Sequence, residues 1–228
     1  MANDYFRFKQ FTVRQNRCGM KVGTDGTLLG AWAHGGKNIL DVGTGTGLIA
    51  MMMAQRFPMA QITGIDIDCN ACCQAQENIA LSPFQIEIQC VNITDMRGLF
   101  DCIVSNPPYF VDSLPNPDHQ KAMARHTSSL SYSDLLSHSY RLLTEDGELS
   151  LIIPTEGKKL MESEAALNGF FKVRECAVKT TPQKSARRYL LAFRKHFVGE
   201  PEMSEGVLQD TPNVRSSWYQ QLTKDFYL

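Results

Sequence analysis

With 228 residues the chain is about one to one and a half typical domains, enough to bury roughly 70% of its unfolded surface around one core. A hydrophobic content of 43%, a charged content of 21% and a formal net charge of -1 exclude a globally polybasic protein, so any contact with nucleic acid has to be local. The longest uninterrupted apolar run, Leu48 to Ala54, is far short of the roughly 18 residues of a membrane helix, and MANDYFRFKQ lacks the apolar centre of a signal peptide, which predicts a cytoplasmic protein without membrane contact.

Residues 1–36 form a basic segment expected to pack on the domain that follows, from 37 to 196. There NILDV reads as a short apolar strand, followed by a glycine-rich turn and helical spacing from Leu48 to Phe57. QITGIDI reads as a second strand, and Asp68 is placed to cap a helix running to about Leu81. QIEIQC alternates as a third strand, and DCIVS is a fourth that stops where prolines forbid ladder pairing. A polar loop from Asp112 to about Ser129 precedes a helix around Tyr132 to Leu143, strand GELSLIIP, a helix near Lys158 to Leu167, and strands FKVRECAV and RRYLLAF. Residues 197–228 start turn-rich and end in SSWYQQLTKDFYL, an amphipathic extension expected to dock its aromatics on the core.

Strands alternating with helices imply βαβ units. The expectation is an α/β fold: a seven-stranded, mostly parallel sheet with one antiparallel edge strand and helices on both faces. Seven cysteines, an odd number scattered through apparent core elements, suit reduced buried thiols better than a disulfide framework. The C-x-x-C of Cys69 and Cys72 lies in the helix expected after Asp68, with no second pair and no suitably spaced histidine, so it reads as packing and no metal is expected.

Two loops carry the chemistry. Asp41-Val42-Gly43-Thr44-Gly45-Thr46-Gly47 joins the first strand to its helix, where glycines permit a tight turn and close approach of a ligand to a helix N-terminus. A nicotinamide fingerprint would need glycine where Leu48 stands. The G-x-G-x-G spacing, with Asp66 ending the second strand, instead resembles the S-adenosylmethionine loop of the Rossmann-like class I methyltransferases. That resemblance implies cofactor contacts from Asp41, Gly43, Thr44, Gly45, Gly47, Asp66, Ile67, Asn92 and Ile93, with Asp66 accepting the ribose hydroxyls. Such enzymes often carry Asp where Asn92 stands, and Asp95 is the alternative contact to the cofactor adenine.

The second loop is Ser105-Asn106-Pro107-Pro108-Tyr109-Phe110, a stiff corner at the end of the fourth strand. Asn-Pro-Pro-Tyr resembles the motif of methyltransferases that modify planar, conjugated nitrogens. The resemblance implies that the Asn106 side-chain oxygen and the Pro107 carbonyl each accept one N–H of the target amine, while Tyr109 or Phe110 stacks on the base and Pro108 adds to the substrate contacts. In an open α/β sheet, loops after strands on either side of the order reversal face each other, which puts both motifs at one crevice.

Basic residues gather in two places. Arg7, Lys9, Arg14, Arg17 and Lys21 interleave with Phe6, Phe8 and Phe11; residues 172–196 hold Lys172, Arg174, Lys179, Lys184, Arg187, Arg188, Arg194 and Lys195 against Glu175 alone. Lys121 and Arg125 add charge to the loop after the second motif. RCGMKVGTDGTLLGAWA, GTGTGL, AQENI, SNPPY and the terminal FYL resemble the bacterial tRNA valine adenine-37 N6-methyltransferases over nearly the whole chain. This implies methylation of adenine N6 in the anticodon loop by a monomer, with substrate contacts from Arg14, Arg17, Lys21, Lys121 and Arg125. Thr24 and Asp25 would lie near the cofactor or serve as a turn and helix cap. A protein-glutamine N5-methyltransferase, which shares the tetrapeptide, and a non-catalytic tRNA-binding module with a vestigial pocket are the competing readings.

Overall fold

The computed structural model describes residues 4–16, 22–108 and 130–228. The apolar runs become β3 (Asn38–Val42), β4 (Gln61–Asp66), β5 (Glu87–Cys90) and β6 (Phe100–Ser105), followed by β7 (Leu143–Pro154), β8 (Phe171–Lys179), β9 (Ala186–Arg194) and β10 (Glu202–Val207). They form one sheet in the order β10-β8-β9-β7-β6-β3-β4-β5. Neighbours are parallel except where β9 pairs with β7 and with β8.

The sheet therefore has eight strands rather than seven. Antiparallel β9 lies toward the expected side, and β10, from a tail read as turn-rich, takes the outermost place alongside β8. No apolar alternation announces EMSEGV because its first four residues are exposed, and acidic side chains on an outer strand discourage pairing with another chain.

The helices are α1 (Thr24–Trp32), α2 (Leu48–Arg56), α3 (Cys69–Ala80), α4 (Tyr132–Leu142), α5 (Lys158–Leu167) and α6 (Ser217–Thr223). Asp68 caps α3 as expected, its side chain accepting the Asn70 N–H at 2.9 Å. Residues alternate between the two faces of each strand. Leu40, Val42 and Ile103 pack with Leu135 and Leu136 of α4 and Met161 of α5, whereas Ile39, Cys102 and Val104 pack with Leu28 and Leu29 of α1, Ile49 and Met53 of α2, and Tyr219 of α6.

Helix α1 approaches α2 closely because its contact stripe is glycine. A Cβ on Gly26 would stand 3.0 Å from Leu48 Cδ2, and one on Gly30 would stand 2.9 Å from Met52 Cβ. A hairpin of β1 (Tyr5–Arg7) and β2 (Thr12–Arg14) closes this side, burying Phe8, Phe11 and Val13 with Met51, Met52 and Phe226. The carboxyl-terminal aromatics thus dock on the core, and Lys9 N–H donates to Phe226 O at 2.8 Å. A second small ribbon, β11 (Gln209–Thr211) with β12 (Val214–Arg215), leads into α6.

One cysteine pair corrects the expectation of reduced thiols. Cys69, at the start of α3, is disulfide-bonded to Cys90, at the end of β5, with Cα atoms 5.4 Å apart. Sheet register brings them together, since Asp66 and Cys90 are direct partners and Cys69 follows just beyond β4. Their separation of 21 residues gives no hint of that pairing. Cys72, Cys102 and Cys176 are buried free thiols, and Cys73 is an exposed one. Among the described residues no cluster could hold a metal, and no helix is long and apolar enough to cross a membrane.

Candidate active site

The glycine turn after β3 is a backbone device. Gly43, Gly45 and Gly47 have φ of 73°, 56° and 79°, a region that side-chain-bearing residues avoid, which explains the alternate-glycine spacing. Gly43 and Thr44 N–H both donate to Ile65 O at 2.9 Å, pinning the turn to β4. Gly45 N–H donates to Asp66 Oδ2 at 2.9 Å, and Asp68 N–H to Asp66 Oδ1 at 3.0 Å. Half-buried Asp66 therefore braces the turn, and each of its carboxylate oxygens retains a further acceptor site.

Asp41 lies fully buried beneath this turn. Its Oδ2 accepts Thr44 Oγ1–H at 2.7 Å and Ala50 N–H at 3.1 Å, while its Oδ1 has no hydrogen-bond partner. Burial pushes the carboxyl up to about 7, against the opposing hydrogen bonds from Thr44 and Ala50. An orphaned buried acceptor is costly unless a donor reaches it.

The Asn-Pro corner begins where β6 ends. Val42 and Ser105 are register partners, and buried Ser105 Oγ donates to Val42 O at 2.8 Å, so the two motif loops leave adjacent strands side by side. Asn106 is half-buried, Pro107 buried and Pro108 exposed. Gly43, Thr44, Gly45, Thr46, Leu48, Ile49 and Asn106 line one cavity of about 360 Å³ together with Val22 to Gly26. Its size is that of a small-molecule site.

Thr24 and Asp25 are therefore wall residues. The helix they start is capped at Gly23 without a side-chain hydrogen bond, so their turn-and-cap role is not what the structure shows. Asp25 Oδ2 accepts Arg188 Nε–H at 2.7 Å, bringing β9 to the rim. Sequence reasoning counted Arg188 only within a basic run and missed Val22, Gly23 and Gly26; the glycines at 23 and 26 were the available signal. On the flank, Asn78 Nδ2 donates to both Arg14 O and Thr46 O at 2.9 Å, tying the N-terminal hairpin to the glycine turn.

The remaining candidates divide. Ile67 is 44% exposed just past Asp66, an apolar face beside the turn. Asn92 is exposed, with Oδ1 accepting Thr94 N–H at 3.1 Å, whereas Ile93 is buried in the core and offers its backbone only. Exposed Asp95 donates its N–H to Asn92 O at 2.9 Å. Arg17, Lys21, Tyr109, Phe110, Lys121 and Arg125 lie outside the described residues.

The site fits S-adenosylmethionine: the cavity has the volume of a small molecule, and at Gly43 a Cβ would meet nothing within 4 Å, leaving room above the turn. Fold and paired loops define the class as a Rossmann-like, S-adenosylmethionine-dependent methyltransferase. Residues 26–184 match the methyltransferase small domain family. The fold resembles that of a predicted O-methyltransferase from Agrobacterium tumefaciens, with a TM-score of 0.69 at 18% identity over 89% of this chain and 96% of that one. It also resembles a methyltransferase from Pyrococcus furiosus, with a TM-score of 0.56 at 21% identity over 75% of this chain and 80% of that one.

Among curated relatives, the tRNA1(Val) (adenine(37)-N6)-methyltransferase of Parabacteroides distasonis is 45% identical over all of this chain and 99% of its own. The protein of that name from Phocaeicola vulgatus is 46% identical over the same shares. The chain belongs to this family of tRNA1(Val) (adenine(37)-N6)-methyltransferases.

Proposed function

We propose that the chain transfers a methyl group from S-adenosylmethionine to the exocyclic N6 of adenine 37 in the anticodon loop of a valine tRNA, in the cytoplasm. One observation carries this reading: a single cavity is lined both by the glycine turn and by Asn106, the acceptor-bearing side chain of the second motif. In this reading Asp41 and the turn hold the cofactor's amino-acid end, Asp66 takes its ribose hydroxyls, and Ile67 covers its adenine, with Asn92 or Asp95 at the adenine edge. The cofactor supplies an electrophilic methyl on a sulfonium.

The target amine is a poor nucleophile because its lone pair is delocalised into the ring. Asn106 Oδ1 and the Pro107 carbonyl each accept one of its N–H groups, which fixes the nitrogen and aims its lone pair into the cavity. Preorganised acceptors and in-line placement are where such a site gains rate. Pro107 and Pro108 remove backbone freedom at the corner, so little reorganisation accompanies binding. Tyr109 and Phe110 are assigned the stacking contacts, each worth about 1–3 kcal/mol in single-strand binders. An unpaired anticodon-loop base can be splayed out at modest cost.

The test is transfer of labelled methyl from the cofactor to bulk tRNA and, separately, to a protein fraction, followed by nuclease digestion and detection of N6-methyladenosine. Label in tRNA as N6-methyladenosine is expected. Label confined to protein would transfer the assignment to a glutamine methyltransferase, and no label in either would leave a binding module.

A further inference from the structure

The basic run from 172 to 196 looks uniform in sequence, but ion pairing sorts it. Lys172 binds Glu162 and Glu175; Arg174 and Arg194 bind Glu148; Lys179 binds Glu205; and Lys195 binds Glu145. Arg188 is engaged by Asp25 at the rim of the cavity. Lys184 and Arg187 are exposed and have no acidic partner among the described residues.

The two cations left over stand at the catalytic end of the sheet. Strand β9 runs antiparallel to β7, so its first residues meet the last of β7, with Arg188 opposite Pro154. Thr155 Oγ1 donates to Ala186 O at 2.7 Å, fixing the start of β9 there. Strand β7 runs parallel to β6, whose end carries Asn106, and Asp25 lines the same cavity as Asn106. The β8–β9 turn therefore lies at the same end of the sheet as the site, joined to the cavity rim through Arg188 and Asp25. It is tight, with Lys184 N–H donating to Thr181 O at 3.1 Å, and no acidic residue occurs between Glu175 and Glu200.

We propose that the β8–β9 turn is a phosphate-contact surface for the RNA strand that carries the target base, with Lys184 and Arg187 neutralising backbone phosphates and Arg188 a positioning residue that Asp25 sets at the mouth of the cavity. Phosphate contacts fix register and orientation and carry no sequence information. Arg14, exposed on β2 and tied through Asn78 to the glycine turn, stands at the other flank, so cations border the cavity on both sides. Protein substrates present no comparable row of anions, which is why RNA is the partner this surface fits. The assignment rests on the tRNA reading above.

The experiment compares the full chain with Lys184→Ala/Arg187→Ala, measuring steady-state kinetics and the affinity for fluorescent tRNA over a salt series. Each lost phosphate contact lowers the slope of log affinity against log salt by about one, so the double variant is expected to lose about two and to raise the KM for tRNA about ten-fold, with kcat and cofactor affinity held. Lys184→Arg/Arg187→Lys should restore the slope. Lys37→Ala removes a cation just before β3, at the opposite end of the sheet, and should leave the slope unchanged. If the wild type methylates tRNA and the double variant keeps its slope and KM, the surface is overturned and the activity stands. If the wild type binds tRNA without salt dependence and methylates protein, the activity is overturned, and the surface with it.

Discussion

The two ends of the central sheet treat charge in opposite ways. Near the starts of the strands, Glu148 is 3% exposed yet saturated: Arg174 Nη2 donates to it at 2.6 Å, Arg194 and His34 lie 3.3 Å away, and the Arg174 guanidinium sits 3.9 Å over the Trp32 ring. Asp101 likewise takes the N–H groups of Lys37 and Asn38, at 2.9 and 3.0 Å. At the other end, Asp41 keeps one oxygen without a partner and glycines hold open a turn in left-handed geometry. The carboxylates near the strand starts are completed within the fold, although the Nε atoms of Arg174 and Arg194 keep no partner there. The other end is built to be completed by something else, as functional sites are.

This contrast can be broken by substitution. Glu148→Ala strands half-buried Arg174, so it should cost about 3 kcal/mol in denaturant unfolding while leaving kcat of the folded fraction unchanged. Asn106→Ala should do the reverse: turnover falls about 10²–10³-fold, with cofactor affinity by calorimetry and Tm both retained. An unchanged methylation rate in that variant would remove the proposed chemistry. Opening the Cys69–Cys90 loop by Cys90→Ser should cost about 3 kcal/mol, and a thiol titration of the unfolded wild type without reductant should find this pair unreactive. Gly43→Ala imposes about 1–2 kcal/mol of left-handed strain and places a methyl in the space above the turn, so cofactor affinity should fall more than stability does.

Acid–base behaviour sharpens the same comparison with a smaller effect. Asp41 is raised by burial from 3.8 to about 7, so its contribution to stability is full below pH 3.8 and lost as the pH rises through about 7. For Glu148 burial alone would raise the pKa, but the His34 hydrogen bond and the charge and hydrogen bond of Arg174 outweigh it and bring the value down from 4.5 to about 2. Its contribution is present above pH 4.5 and lost as the pH falls toward 2. In Tm measured against pH without cofactor, Asp41→Asn should remove the decline between about pH 4 and 7, and Glu148→Gln the decline on the acid side.

Local signals carried much of this architecture. Apolar runs placed β3, β4 and β6, Asp68 announced the start of α3, and the tetrapeptide at 106–109 pointed to the corner beside the glycine turn. What stayed hidden depends on register. Cys69 meets Cys90, Asp25 meets Arg188 and Glu148 gathers Arg174 and Arg194 only once elements far apart in sequence are packed together. Strand β10 stayed hidden for a different reason, since an exposed outer strand needs backbone pairing and little apolar pattern.

The insertion of β9 between β7 and β8 governs how the protein can be made. From Gly147 to Pro154 every residue of β7 is buried, so until β9 arrives that strand offers an apolar, unpaired flank. During synthesis Arg194 follows Pro154 by 40 residues, an interval of about 2–8 s at roughly 5–20 residues per second. For that time the nascent chain is adhesive, and a polypeptide halted before Ala186 would aggregate rather than wait.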